Sequence, residues 1–565
     1  MWKKESDNAS ALFVDLFACE KYDDGKMFEE WDRKIRNSDW EHNYPYMKRA
    51  AVKSDKTSDF YLAQGDSYRK CCFDANARVK PGLYATIQLY NQCLCFAEIG
   101  SKNVGFAYAN RAICFLHCGK HSECFKDIEL AIAANHPPEL LPDLMKLKQE
   151  CEGNLEKFKK MNNRSCHTQS YGKRVIDPQL SFSPHEKFPC MANVLEIQEN
   201  EEFGRHVVAT CDIAVGQTVL VEENYVSQSS KSFNLVHCGT CLQYSGSLFP
   251  CSKCTDVMFC SETCQNQNEL HHKFCGANFE RMPSHIRFII RSMLIGIIAF
   301  TSAEEMMEFV ENTLAKRTTQ VPEAANDEKS KYALFLNLKG PRGDKFDVET
   351  TYKVYTGLLD IALIKSMFDS QQSQRFLMHF AAEHVSIISS LIVARNSNFN
   401  PLACRPTIRA IPNVFSLFNH SCAANLLNLS FGNSEVCITI RPIKKGDQLF
   451  VKYLDAGIQS KPRSRRRRQD ALLKYWGFLC KCDKCEPNCK PKQRAKMKSD
   501  ENYQFLSKAR CNYYKGICDR TELSSKCIAF LEKFGHLPWS EEMNLVLDVY
   551  TKCLLDDYAN LYNFC

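Results

Sequence analysis

Apolar positions fall three and four apart through YLAQGDSYRK (61–70), YATIQLYNQCLCFAEI (84–99), FAYANRAICFLHCGK (106–120) and HSECFKDIELAIAA (121–134). That is the spacing of one face of an α-helix, so the segment predicts a run of helices. From about 190 the period shortens. GRHVVATCDIAVGQTVLVEENYVS (204–227) alternates Val, Ile and Leu with polar residues and turns at Gly216, the pattern of short strands. A cysteine-dense insert fills 238–275. Helical patterning returns over about 282–392, broken by the polar, loop-like KRTTQVPEAANDEKSK (316–331). Strand patterns reappear around VCITIRPI (436–443) and DQLFVKYL (447–454), a second cysteine cluster follows at 480–485, and from about 500 to the end the pattern is helical. Residues 1–55 mix aromatic and charged residues without strong periodicity and are expected to form a helical extension. The most apolar helix candidate, Ser292 to Ala303, carries no charge over 12 residues and is too short to span a bilayer.

Small residues (Ala107, Ala109, Ala112, Gly119) stand where paired helices must approach closely. Together with the cadence of 56–160 they resemble tetratricopeptide repeats, with two units and a third beginning near Pro138; a plain helical bundle is the alternative. Such repeats usually bind peptides. Those that grip acidic chaperone tails place an asparagine after the first helix's glycine and a lysine nearby. Here those positions are Asp66 and Leu62, although Asn110 fits the second-repeat asparagine, and a carboxylate facing a carboxylate repels.

The chain has 565 residues, enough for several cores, and a net charge of +7, too mild to argue for nucleic acid. MWKKESDNAS holds no apolar stretch of the kind that directs secretion, so a cytoplasmic and nuclear protein is expected. Cysteine is the outlier at 31 residues, and in a reducing compartment that count points to thiolates holding metal.

Their spacing agrees. Cys238-x2-Cys241, Cys251-x2-Cys254, Cys260-x3-Cys264 and His271-x3-Cys275 supply seven thiols and one imidazole, two complete tetrahedral sets with no position left for water. Both are therefore expected to be structural zinc sites, with His272 as the alternative imidazole. Cys480-x-Cys482-x2-Cys485 offers only three thiols. Cys422, inside SLFNHSCAANLLN (416–428), is the obvious fourth, and a metal there would carry Asn419 and His420 to the aromatic residues of YWGFLCKCDKC (475–485).

The first cluster resembles the MYND zinc finger. That resemblance implies interleaved pairing: Cys238, Cys241, Cys260 and Cys264 on one ion, and Cys251, Cys254, His271 and Cys275 on the other. It also implies proline-containing peptide ligands, although the aromatic residue that the family often carries three positions before the histidine is Asn268 here. Asn-His-Ser-Cys, the tyrosine of FVKYLD and the trailing cysteines are similar to the SET domain of protein-lysine methyltransferases. With the finger inserted, residues 56 to about 490 resemble the SET and MYND domain-containing (SMYD) family, and most of all its repeat-bearing branch.

The resemblance implies an α+β multidomain chain: a helical extension (1–55), tetratricopeptide-like repeats (56–160), the first part of SET (190–236), MYND finger (237–276), helical insert (280–390), SET core (391–456), post-SET zinc segment (457–490) and C-terminal helices (491–565). It implies S-adenosylmethionine as cofactor and three zinc ions. Gly204 and Arg205 would lie beside the methionine end of the cofactor, Asn419 and His420 would contact it, and Phe478 would stack on the adenine. Asn396, or nearly as well Asn398, would line the pocket, and Tyr453 would be the active-site tyrosine. His206 replaces the second glycine of the family's turn, which places a side chain at the cofactor unless it points away. Trp476 stands where many relatives have a tyrosine, with Tyr475 one earlier. KPRSRRRR (461–468) reads as a solvated loop, a nuclear import signal or a contact for acidic chromatin surfaces. The expected activity is lysine methylation of a histone or non-histone protein by a monomer with a role in transcription. The alternative is a weakly active or inactive scaffold recruiting a co-repressor or chaperone through the finger and repeats; membrane association and direct nucleic-acid binding are not expected.

Overall fold

The computed structural model describes residues 52–74, 80–134, 137–164, 178–229, 235–315, 326–338, 348–391, 393–395, 408–454, 464–513 and 520–559. The extension at 1–51 and both Asn396 and Asn398 lie outside the described residues.

Among the described residues the first helices are α1 (Asp55–Asp74), α2 (Lys80–Phe96), α3 (Lys102–His117), α4 (His121–Ala133) and α5 (Leu141–Arg164). Ser101 starts α3 by accepting the Asn103 N–H at 3.2 Å on its hydroxyl. Consecutive helices pack on one another through Ala107, Ala112, Cys114 and Phe115, all fully buried. The array is not free-standing. Its core is continuous with Cys238, Leu248, Cys251, Met258 and Phe259 of the cysteine-dense module, so helices and module share one interior. Gly246 of that module lies so close to Phe115 that a Cβ there would stand 2.7 Å from the ring.

The β-rich region is assembled from small sheets. Strands β1 (Leu195–Asn200) and β2 (Gly204–Ala209) form an antiparallel hairpin. β3 (Thr218–Glu223) pairs with β11 (Ser434–Thr439), and β11 with β10 (Leu426–Phe431). β4 (Val226–Ser229) and β7 (Val393–Arg395) flank β8 (Ile408–Ile411). The module carries β5 (Phe249–Pro250), β6 (Met258–Phe259), α6 (Glu262–Asn266) and α7 (Glu269–Phe274). Most consequential are two strands of two residues each, β9 (Asn419–His420) and β12 (Phe450–Val451), which run parallel in the register Phe450–Asn419 and Val451–His420. Residues 31 apart in sequence are thereby set side by side.

The helical insert comprises α8 (Ser284–Ile297), α9 (Ala303–Ala315), α10 (Glu328–Leu336), α11 (Val348–Leu359), α12 (Ala362–Met367) and α13 (Gln371–Leu391). The Ser292–Ala303 run is two helices rather than one. The Ser302 hydroxyl accepts the Glu305 N–H at 3.2 Å, the Glu305 carboxylate accepts the Thr301 N–H at 2.8 Å, and this pair of caps starts α9 afresh. Likewise the loop expected to reach residue 331 ends earlier, because Asp327 caps α10 through the Ser330 N–H at 2.7 Å. Beyond the sheets come α14 (Arg465–Trp476), α15 (Pro491–Ser499), α16 (Glu501–Tyr513), α17 (Arg520–Phe534) and α18 (Glu541–Ala559). The last four share a core that also takes in Val215 and Ile440 of the β region. No helix among the described residues is long and apolar enough to cross a membrane.

Candidate functional site

Three sets of donor atoms converge, each within 4.8 Å: Cys238, Cys241, Cys260 and Cys264; Cys251, Cys254, His271 and Cys275; and Cys422, Cys480, Cys482 and Cys485. Measured separations are 3.8 Å for Cys241–Cys260, 3.6 Å for Cys260–Cys264, 3.7 Å for Cys251–Cys275 and 3.7 Å for Cys422–Cys485. A disulfide needs about 2.05 Å, so none of these pairs is oxidised. A tetrahedron with metal–sulfur arms of about 2.3 Å has edges of about 3.8 Å, so the donors present fit zinc. His271 enters its set through Nε2, 3.8 Å from Cys254 Sγ, while His272 is exposed and outside it. Hydrogen bonds from neighbouring thiols hold one sulfur of each set far below the usual thiol range: Cys238 from Cys241, Cys251 from Cys254 and Cys482 from Cys422.

The third set lies against the Asn419–His420 strand. The Asn419 amide donates to the Phe203 carbonyl at 3.1 Å, tying β9 to the turn that precedes Gly204, whose φ is +61°. His420 is buried, and its Nδ1 accepts the Tyr453 N–H at 2.9 Å. An amide can only donate, so the ring's proton falls to Nε2, which faces Cys422 Sγ at 3.4 Å. The Tyr453 ring lies 5.2 Å from His420 and 5.4 Å from Trp476, and the Phe478 ring 6.1 Å from His420. Gly477, at φ +73°, ends α14 in the left-handed conformation that lets the chain turn from Trp476 to Phe478. The Tyr453 hydroxyl donates to the Phe418 carbonyl at 2.8 Å, and burial pushes its pKa up.

Of the other expected cofactor residues, Arg205 sends its guanidinium to the Asn337 carbonyl at the end of α10, in the helical insert. His206 neither points into solvent nor stands loose. It is 5% exposed, its Nδ1 lies 2.8 Å from the Gly204 carbonyl and its ring meets Phe203 edge-on. The side chain of Tyr475 lies outside the described residues.

A family model for the SET domain matches residues 204–454, the span that carries Gly204, Asn419, His420, Cys422 and Tyr453. The chain is 23% identical over 329 residues to a SET and MYND domain-containing protein of Dictyostelium discoideum, covering 52% of this chain and 82% of that one. Against protein-lysine N-methyltransferase SMYD4 it is 21% identical over 357 residues in Danio rerio (59% and 42%) and 20% over 514 residues in Mus musculus (70% and 64%). The chain carries a SET domain and is similar to SMYD-named proteins over half or more of its length. It spans less than two thirds of the length of these two SMYD4 relatives. Among solved structures, the SET domain of LSMT bound to lysine and AdoHcy matches 51% of this chain and 53% of that one, at 12% identity and a TM-score of 0.19, too loose a superposition to bear on the site.

Asn268 has a structural task. Its side chain caps α7 by accepting the His271 N–H at 2.9 Å and donates to the Gly239 carbonyl at 3.0 Å and to Thr240 Oγ1 at 3.1 Å, joining the two metal sets. Asp66 is engaged by the Tyr90 hydroxyl at 2.7 Å and the Asn110 amide at 2.8 Å, so the asparagine that could have held an acidic tail already holds a carboxylate.

Three features escaped the sequence reading. Arg111 and Asp127 form a fully buried ion pair at 2.6 Å, and the same two side chains bond Asn91, Ser247 and the Leu248 carbonyl, which locks the helices onto the finger. Glu222 on β3 accepts three backbone N–H groups, from Asn413 at 2.8 Å and from Val414 and Phe415 at 2.7 Å each. Arg468 leaves its basic run to meet Cys422 and Cys485. Each is a charge amid ordinary patterning, with no spacing signal to mark it.

Proposed function

We propose that the chain is an S-adenosylmethionine-dependent protein-lysine N-methyltransferase acting on histone or non-histone proteins, with a regulatory role in transcription. The observation that carries this is the ring of Asn419, His420, Tyr453, Trp476 and Phe478 held together by β9, β12 and the third thiol set. When bound, the cofactor supplies an electrophilic methyl on a sulfonium. Asn419 and His420 would orient it and Phe478 would offer an aromatic face. Tyr453, its proton committed to Phe418, leaves its oxygen as acceptor for an incoming amine N–H or for the polarised methyl group. Trp476 and Tyr453 would exclude water from the lysine, and desolvation favours the neutral amine that must attack in line. No general base is required of the chain. Zinc in all three thiol sets, three ions, would hold the finger and the aromatic wall.

Charge favours an acidic substrate flank. Between 461 and 498 the chain has fourteen Lys and Arg against three Asp and Glu, more net charge than the +7 of the whole protein. Arg465, Arg466 and Arg467 are exposed on the helix that ends at Trp476. Nuclear as well as cytoplasmic residence is consistent with the same run. The helices at 56–160 are read as tetratricopeptide-like, with a partner other than a standard acidic chaperone tail.

The second reading, a weakly active scaffold, draws on Trp476 in a tyrosine's place. Asn268 weighs against recruiting proline-containing peptides through the finger, because its polar atoms are spent inside the module. The test is methyl transfer from labelled S-adenosylmethionine to a proteome extract, comparing wild type with Tyr453→Phe at matched zinc content. Label lost in the variant supports the enzyme. No label from the folded, zinc-loaded wild type moves the assignment to the scaffold.

A further inference from the structure

The run Arg465 to Arg468 divides sharply. Arg465, Arg466 and Arg467 are exposed, with Arg465 and Arg466 in loose surface pairs with Glu486 at 3.5 Å and Asp470 at 3.9 Å. Arg468 is 8% exposed. Its Nε lies 3.3 Å from Cys422 Sγ, and its Nη2 lies 3.4 Å from Cys485 Sγ and 3.3 Å from the Lys484 carbonyl. We propose that Arg468 is the counter-charge of the third metal set, retaining its zinc and latching α14 against the SET core.

Four thiolates around a divalent ion carry two net negative charges, here in a cluster packed with Leu454 and Leu472. Charge in such surroundings needs a partner. A guanidinium suits the task because its planar fork reaches two acceptors at once, whereas an ammonium acts as a single point. N–H bonds to ligating sulfur spread the thiolate charge and oppose protonation and loss of the ion. The latch is reinforced by Gln469, whose amide donates to the Cys480 carbonyl at 2.9 Å. Because α14 ends at Trp476, 5.4 Å from Tyr453, whatever holds α14 to the metal also holds one wall of the candidate site. The charge of the run is therefore not one property: three arginines face outward and one faces the thiols of the third set.

The proposal rests on zinc occupying the third set, and the experiment separates the two. Zinc is counted in the full-length protein and its release to a chromogenic chelator is followed, with alkylation of each cysteine mapped by mass spectrometry. Wild type should carry three ions; two, with Cys422, Cys480, Cys482 and Cys485 freely alkylated, would sink the occupancy and the proposal together. With three present, Arg468→Gln should speed release of one ion roughly 10- to 100-fold, the usual reach of a partner to a metal ligand. Alkylation should rise at those four cysteines alone, with the finger cysteines as the internal check on folding. Arg468→Lys should recover part of the retention, and Arg465→Gln/Arg466→Gln/Arg467→Gln should release zinc as wild type does. Wild-type release from Arg468→Gln, or equal loosening of all three sites, would overturn the proposal.

Discussion

The Tyr453 N–H donates to His420 Nδ1 across 2.9 Å, and the opposite nitrogen of the same ring faces Cys422 Sγ at 3.4 Å. One imidazole thus joins the candidate catalytic tyrosine, two residues beyond β12, to a thiol of the metal set. His420→Ala removes both contacts and frees the backbone at Tyr453. Misplacement by about 1 Å costs on the order of 100-fold in a reaction that depends on alignment. Methyl transfer should therefore fall by about that factor in kcat/KM, with far-UV dichroism unchanged. Retained wild-type turnover would show that Tyr453 is placed without the histidine.

Trp476 faces Tyr453 at 5.4 Å with no hydroxyl to offer. Trp476→Tyr introduces a donor and acceptor and a smaller ring on the same wall. Turnover on a lysine peptide should rise several-fold, or a higher methylation state should accumulate in the mass spectrum. A fall in both would mean that the indole is itself the fitted surface.

Glu222 gathers three backbone amides from the turn that leads into Phe418 and Asn419. Glu222→Gln keeps the shape but replaces one acceptor oxygen by a donor facing N–H groups. Charge-assisted bonds of this kind are worth about 1.5–3 kcal/mol each. A stability loss of about 2–3 kcal/mol in urea titration is expected, with weaker cofactor binding by calorimetry, since the turn sets where Asn419 begins.

Legibility followed the range of each signal. Metal ligands come in pairs two to four residues apart, so the twelve donors that now lie together could be picked out as groups. Even Cys422, 58 residues from Cys480, was recoverable because three thiols are one short of four. Strands β9 and β12 are too short to show any period, and only their pairing brings Tyr453 to His420. The docking of the helices on the finger was silent as well. Arg111 and Asp127 sit 16 residues apart within ordinary amphipathic helices, and nothing local says that both are buried. Arg468 was hidden by its neighbours, for three exposed arginines make a fourth look solvated.

That buried pair makes the helical array depend on the finger. Asp127→Ala leaves the buried Arg111 guanidinium without its carboxylate, bonded to the Asn91 oxygen and the Leu248 carbonyl, and breaking such a pair costs about 3–5 kcal/mol. Arg111→Met/Asp127→Leu, which removes both charges, should be closer to wild type than either single change. Removing zinc from the finger should raise amide exchange in α3 and α4, because Lys126 donates to the carbonyl of the ligand Cys260 at 2.6 Å. Exchange confined to residues 238–275 would show that the two units are independent.

His384 gives the insert an acid sensitivity whose sign can be worked out. Its Nδ1 lies 2.8 Å from Ser292 Oγ and its Nε2 3.0 Å from the Tyr332 hydroxyl; the ring is wholly buried beside Phe335 and Phe380. Burial lowers its pKa from 6.5 to about 3. The folded state therefore refuses a proton that the unfolded chain accepts below 6.5, so the stability it contributes is whole above that pH and is lost as pH falls toward 3. One unit below 6.5 the loss is about 1.4 kcal/mol. His384→Gln keeps partners for Ser292 and Tyr332 but cannot titrate, so between pH 7 and 5.5 its urea midpoint should fall less than that of wild type. Parallel curves would place the acid sensitivity in other groups.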